Sequence, residues 1–482
     1  MIGKSLPEYI FILISIGLLR LVAPISFLYV AYLVVAQPGI GWQTSLGGYT
    51  LLEILFYTFV YLPRRWLLQK LLLQPAVHPT IHTREYRRVL FQRCSSYLAT
   101  SDYLSGWFFS AGFKRDNVVD WLLWALFSAT RDTCQVEWEE EIEEYLSTVE
   151  VIIDRKLAPG YNTGVRCMRP TIDSVSMLHR PLIWYLVVGL VDLFSSFRLW
   201  CQGFHHYDDG DYVASFPMRP CCVISRRSPV VKLPYWYRPH RSSTKLPVLF
   251  IHGIGIGLYP YTPFFNELIA MHPDIGILAI ELLSISMHIT SPPLSSSATC
   301  TAISQILDDL GLDRVVVLSH SYGTVVTTQM LHSHLSPRIA AILFVDPIPF
   351  LLHLPDVAFN FVYRQARSAN ELQLWYFTSR DPDISRTLSR HFFWSENVLW
   401  KEELVGRPVA VWLSGKDQIV NSEQVRKYLT GEPTASEYWT TDTLEVLFDP
   451  DLDHATVFDT KDRRKRLLDV LDRFVGRLDY RN

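Results

Sequence analysis

Five apolar runs punctuate the second half of the chain: "LPVLFIHG", "IGILAIEL", "DRVVVLSH", "AAILFVDP" and "RPVAVWLSG". Each is nearly continuous, without polar alternation, and stretches of helical periodicity separate them. A strand that is apolar on both faces must be covered on both faces, and parallel strands need long crossovers. The pattern therefore predicts a mostly parallel, doubly wound sheet flanked by helices. Such a sheet gathers functional groups beyond the carboxyl ends of its strands.

The run ending at Leu318 leads into "SHSYG" and then into the helical pattern "TVVTTQML". This approximates G-x-S-x-G, a tight strand-to-helix turn that holds a serine hydroxyl at the top of the sheet. Small residues are needed on either side because strand and helix backbones approach closely. Ser319 stands in the first glycine position and Gly323 in the second, which makes Ser321 the candidate nucleophile. A serine needs a base, and the base needs an orienting carboxylate. Asp417 follows the strand "PVAVWLSG", and His454 lies in "DPDLDHATVF" before a terminal helix. Taken singly, Asp417 reads as a turn residue and His454 as a loop histidine. Their order after Ser321 is that of a Ser-Asp-His triad. Asp346, in "LFVDPIP", is the alternative acid. His320 is expected to point away from Ser321, and Asp453 to orient the loop backbone.

The stretch "PVLFIHGIGIG" supplies His252 and then Gly253, Gly255 and Gly257. Glycines let backbone N–H groups turn toward a developing oxyanion, with the amides of Ile254 and Tyr322 as the expected donors. Gly253, Gly255, Gly257 and Glu281 also make a faint dinucleotide-binding pattern, but the spacing is not G-x-G-x-x-G and leaves His252 without a role.

With "HGIGIG", "SHSYG", "SGKD" and "LDHAT" in these places, the sequence from Leu246 onward resembles the α/β-hydrolase superfamily. The full chain is similar to a set of fungal membrane-anchored α/β hydrolases, through "LSGWFFSAGFKRDNVVDWLLWALF", "GYNTGVRCMRPTIDSVSMLHRPL" and "LSRHFFWSENVLW". The resemblance implies an α/β-hydrolase fold and a hydrolase, without fixing a substrate. Ser319 is the departure from the elbow pattern.

The N-terminal part has different chemistry. Residues 10–36 are apolar over more than the roughly 20 residues that cross a bilayer, with Arg20 and Pro24 inside. A shorter apolar stretch, 49–63, carries Glu53 and is followed by Arg64 and Arg65. If both cross, Lys4 and Arg64-Arg65 share a side, which the positive-inside rule makes cytosolic. Residues 76–215 read as mixed helix. They include an acidic amphipathic segment with Trp138, Ile142, Tyr145 and Leu146 on one side, and an apolar segment at 181–194, broken by Asp192, that suits a buried or membrane-skimming helix. The expected organisation is an anchor at 1–75, a helical region at 76–215 and a hydrolase domain at 216–482. A helical cap is expected at about 347–408, because sixty residues exceed an ordinary connection.

Of the 482 residues, 49% are hydrophobic and 19% charged, against a usual quarter charged, and the net charge is −3. These values suit a membrane-associated protein and not a nucleic-acid binder. The seven cysteines are dispersed, with Cys221-Cys222 as one close pair, so neither a disulfide framework nor a zinc site is expected, and no cofactor. The cap is crowded with aromatics, among them Phe359, Phe361, Trp375, Phe392, Phe393 and Trp394. Most must pack the cap onto the sheet, yet they also predict an apolar pocket. The expected partners are a lipophilic acyl or ester substrate and membrane lipid. The expected activity is ester hydrolysis through an acyl-enzyme. Thioester cleavage, acyl transfer and a non-catalytic binding role on the same fold are the alternatives.

Overall fold

The computed structural model describes residues 3–36, 45–70, 82–98, 103–211, 214–432 and 436–476. Its centre is a ten-stranded sheet. In chain order the strands are β1 (His205–Asp208), β2 (Arg226–Arg227), β3 (Tyr235–Arg238), β4 (Val248–Ile251), β5 (Ile277–Ile280), β6 (Val315–His320), β7 (Ile339–Val345), β8 (Val409–Ser414), β9 (Tyr438–Thr440) and β10 (Leu444–Asp449). Across the sheet they run β9-β10-β8-β7-β6-β4-β5-β3-β1-β2. The six from β10 to β5 are mutually parallel, while β9 and β3 pair antiparallel. The five apolar runs became β4 to β8. All are buried along their length, as strands covered on both faces must be. Two apolar clusters, one on each face, make the core.

The sheet starts earlier than the boundary expected at 216. β1 carries "HHYD", and β1 and β2 lie at the edge, where neither face needs a continuous apolar run.

The helical region before β1 packs as a second core whose aromatics, including Trp107, Trp121 and Trp124, close against Leu352, Val398 and Trp400 of the cap. In the acidic helix Glu139–Ile152 the apolar side is buried as the spacing required, but the acidic side is not wholly solvated. Glu141 is buried and accepts a hydrogen bond from Arg87 Nε at 2.9 Å.

Helices used below are α1 (Leu6–Ala36), α2 (Ser45–Phe56), α3 (Leu62–Lys70), α4 (Leu182–Cys201), α5 (Gly323–Leu331), α6 (Ala369–Leu374) and α7 (Pro382–Arg390). A π-helical turn, Tyr57–Tyr61, joins α2 to α3. Among the described residues, three helices are long and apolar enough to cross a membrane: Leu6–Ala36, Ser45–Leu68 and Leu182–Cys201.

Candidate active site

β6 and α5 meet at Ser321, which has φ of 52°. That left-handed conformation is uncommon for a non-glycine residue and strained, and it aims the side chain out of the strand-to-helix turn. The turn is tight. A Cβ on Gly323 would stand 2.2 Å from the carbonyl oxygen of Ile251, and one on Gly253 would stand 2.7 Å from Ser321 Cβ. Ser319 fits because its hydroxyl is buried and accepts a hydrogen bond from Thr327 Oγ1 at 2.8 Å.

The structure brings Ser321, His454 and Asp417 into one hydrogen-bonded line. His454 Nε2 lies 2.8 Å from Ser321 Oγ, and His454 Nδ1 lies 2.6 Å from Asp417 Oδ2. The other Asp417 oxygen accepts the N–H groups of Ile419 and Val420 at 2.7 and 3.0 Å, so the carboxylate is fixed by its own loop. Asp346 is close but bonded elsewhere. Its oxygens accept the N–H of Ser414 at 3.0 Å and of Ala455 at 2.8 Å, tying the β7 end to the β8 end and to the histidine loop. Asp453 accepts the His454 N–H at 2.7 Å and a hydrogen bond from Asn370 Nδ2 of the cap at 2.8 Å.

Charge around the imidazole sets its proton affinity. Burial pulls the His454 pKa down, but the charge and hydrogen bond of Asp417, with Asp346 behind, outweigh burial and hold it at about 9. Burial raises Asp346 to about 6, against the opposing pull of His454. His320 takes no part in the line. Its Nδ1 lies 2.7 Å from the hydroxyl of Tyr261. Burial, with the His454 and His252 rings nearby, pushes its pKa well below the ordinary histidine range.

His252 braces the glycine loop. Its Nε2 accepts the Leu282 N–H at 2.9 Å, which leaves Nδ1–H to donate to the Gly253 carbonyl at 2.8 Å. Gly255 has φ of 157° and Gly257 of 66°. The amides of Ile254 and Tyr322 donate no hydrogen bond among the described residues, and both residues border the cleft in front of Ser321. Glu281, the acid of the dinucleotide pattern, is committed to a buried ion pair with Arg219 at 2.6 Å.

The cleft is narrow, about 70 Å³, and apolar. Ordinary ligand pockets hold about 300–1,000 Å³, so the cap lies closed over the serine. Cap residues Phe361, Leu388 and Phe392 form one wall and Ile348 and Leu352 the floor. Trp107, Trp124 and Thr171 form a wall from the helical region. That last wall was not legible in sequence. The segment holding Trp107 and Trp124 stood out only by its aromatic content. Tyr261 and Asn370 had no local signal at all.

A parallel sheet with an elbow serine on a histidine–carboxylate line is the arrangement of a hydrolase of the α/β class. Residues 248–476 match the model of the alpha/beta hydrolase family. No curated protein matches the chain by sequence. Among solved structures, the chain is similar to a membrane phospholipase A described as a bacterial virulence factor, at 12% identity and TM-score 0.39, over 61% of this chain and 94% of that one. It is also similar to the carboxylesterase CesB from Bacillus subtilis, at 11% identity and TM-score 0.39, over 59% and 98%. A third likeness is to a thermophilic esterase from Thermogutta terrifontis, at 13% identity and TM-score 0.38, over 52% and 97%.

Proposed function

We propose that this alpha/beta hydrolase is a membrane-anchored serine esterase acting on lipophilic carboxylic esters. The observation that carries the reading is the Ser321–His454–Asp417 line opening into an apolar cleft. In the proposed reaction His454 Nε2 takes the Ser321 proton as Oγ attacks the carbonyl carbon. Asp417 holds the imidazolium, and the Ile254 and Tyr322 amides receive the oxyanion. Collapse expels the alcohol with the proton from His454. A water activated by the same imidazole then releases the acid. Replacing that water by an alcohol gives acyl transfer, which a narrow cleft poor in polar groups also suits.

The way the first helices meet the cap supports membrane attachment. α1 has 31 residues, about 46 Å at ~1.5 Å per residue, while a bilayer core is about 30 Å thick. Ile12 and Ile16 near its start pack on Ala369 and Tyr376 of the cap. Its last twenty residues or so can cross the membrane, with Arg20 near the interface. α2 runs back beside α1, and Arg64 of α3 pairs with Asp383 of α7 at 2.7 Å. Both ends of the proposed hairpin thus return to the cap side, which the positive-inside rule makes cytosolic. α4 buries Tyr185, Val188, Asp192, Ser195 and Leu199 against the protein and exposes Leu186, Leu190, Phe194 and Phe197. β1 follows it after three residues, so α4 suits lying on the membrane surface and not crossing it.

The test is a series of 4-nitrophenyl esters of increasing acyl length with the full chain in detergent. Burying a methylene is worth about 0.8 kcal/mol, so kcat/KM should rise about fourfold per CH2 until the cleft is filled. Equal rates along the series, or acetate as the best substrate, would count against a lipophilic acyl group.

A further inference from the structure

Away from the serine, the fold assembles a second cluster of chemistry-bearing side chains. β1 contributes His206 and Asp208, and the turn Pro220–Ile224 contributes Cys221 and Cys222. One ligand atom each of His206, Cys221 and Cys222 lies within 4.8 Å of the others, and all three residues are buried. Cys222 Sγ stands 3.6 Å from Asp208 Oδ2. We propose that His206, Asp208, Cys221 and Cys222 form a tetrahedral site for a zinc-class divalent metal ion.

Coordination geometry supports this. Zinc binds sulfur at about 2.3 Å and imidazole nitrogen or carboxylate oxygen at about 2.0–2.2 Å, so tetrahedral ligand atoms sit about 3.3–3.8 Å apart. The Cys222–Asp208 separation already has that value, and the His206, Cys221 and Cys222 atoms, within 4.8 Å of one another, need draw in by about an ångström, while the Asp208 carboxylate must swing further to complete the shell. The surroundings have the form that metal-bound histidines take. His206 Nε2 points at Glu281 Oε2, 3.1 Å away, so a carboxylate fixes the ring and leaves Nδ1 to the metal. Nδ1 donates to the Ser225 hydroxyl, which itself donates to the Cys221 carbonyl at 2.9 Å, so Nδ1 gives up that bond when it takes the metal. On binding, His206 Nδ1 and both thiols lose their protons to solvent, and the sulfurs ligate as thiolates. Two thiolates and a carboxylate leave the ion's shell one negative charge, and Arg219 lies beside it with its own charge shared between Glu281 at 2.6 Å and Asp192 at 3.4 Å.

The consequence reaches the active site through three hydrogen bonds, the first between His206 and Glu281. Glu281 precedes Leu282, whose N–H sets the His252 tautomer, and His252 braces Gly253 beside the proposed oxyanion donor Ile254. The metal acts as a structural brace for the sheet edge and, through it, for that loop.

The test is metal analysis of the full chain, purified in detergent with a thiol reductant and no chelator, by plasma mass spectrometry. Zinc near one equivalent per chain is expected. It should fall to background in Cys221→Ser/Cys222→Ser and be retained in Cys300→Ser, whose cysteine is buried elsewhere. Cobalt added to metal-stripped wild type should give thiolate-to-cobalt charge-transfer absorption and the intense visible bands of tetrahedral cobalt. The cobalt readout needs no variant, so a double variant that fails to fold does not blunt the test. Wild-type chain with neither zinc nor cobalt uptake overturns the proposal. So does metal undiminished in a folded double variant, or a Cys221–Cys222 disulfide found by mass spectrometry in the reduced preparation.

Discussion

Replacing Asp417 by asparagine exchanges one carboxylate oxygen for an NH2 group, and the structure fixes the result. One oxygen of Asp417 is held by the Ile419 and Val420 amides, so the asparagine oxygen keeps that place and its NH2 turns to His454 Nδ1. Two donors then face each other. The imidazole relieves this by moving its proton to Nε2, the atom that must be bare to take the Ser321 proton. The wrong tautomer and the lost negative charge together cost about 10⁴ in kcat, or about 5.4 kcal/mol of barrier at 1.36 kcal/mol per tenfold. Asp346→Asn is the control. Asp346 accepts two backbone N–H groups, with His320 Nε2 4.0 Å away, so its amide forfeits one of them at about 1–3 kcal/mol of stability. It should keep activity to within about tenfold. Hydrolysis of a 4-nitrophenyl ester alongside thermal unfolding separates the two variants. The reasoning is refuted if Asp346→Asn loses activity by orders of magnitude while Asp417→Asn stays active with an unchanged melting temperature.

Two further outcomes follow from the same geometry. His454 works as a base only when neutral, and its pKa of about 9 exceeds the ordinary 6.5, so kcat/KM should rise with pH along a limb above 6.5. Asp417→Asn should move that limb down toward 6.5, and a wild-type limb at or below 6.5 would contradict the charge arrangement. Gly323→Ala should destabilise the protein and abolish activity together, because its Cβ would lie 2.2 Å from the Ile251 carbonyl and must push α5 off β4, at about 1–3 kcal/mol or more. A stable, active Gly323→Ala chain would show that the elbow is looser than described.

The hydrogen-bonded line of Ser321, His454 and Asp417 was legible because each member sits just past a strand. Ser321, Asp417 and His454 follow β6, β8 and β10, and a buried parallel strand announces itself by composition alone. What stayed hidden depends on tertiary approach. Tyr261 reaches His320 across 59 residues, Asn370 reaches Asp453 across 83, and Trp107 joins the cleft from outside the hydrolase segment. No local spacing encodes such meetings. β1 was missed for another reason. A strand one in from the sheet edge, reading "HHYD", has no apolar run, and the same polar residues that hid it supply half of the proposed metal site. Cys221-Cys222 lacks the C-x-x-C spacing of a local zinc motif, and only the return of β1 beside the turn gives it partners.

The central claim is that Ser321 is an activated nucleophile. A fluorophosphonate probe incubated with the full chain in detergent, followed by peptide mass spectrometry, measures this directly. The adduct should fall on Ser321, disappear in Ser321→Ala and form far more slowly in His454→Ala. An adduct on Ser319, or labelling undiminished in Ser321→Ala, would contradict the account.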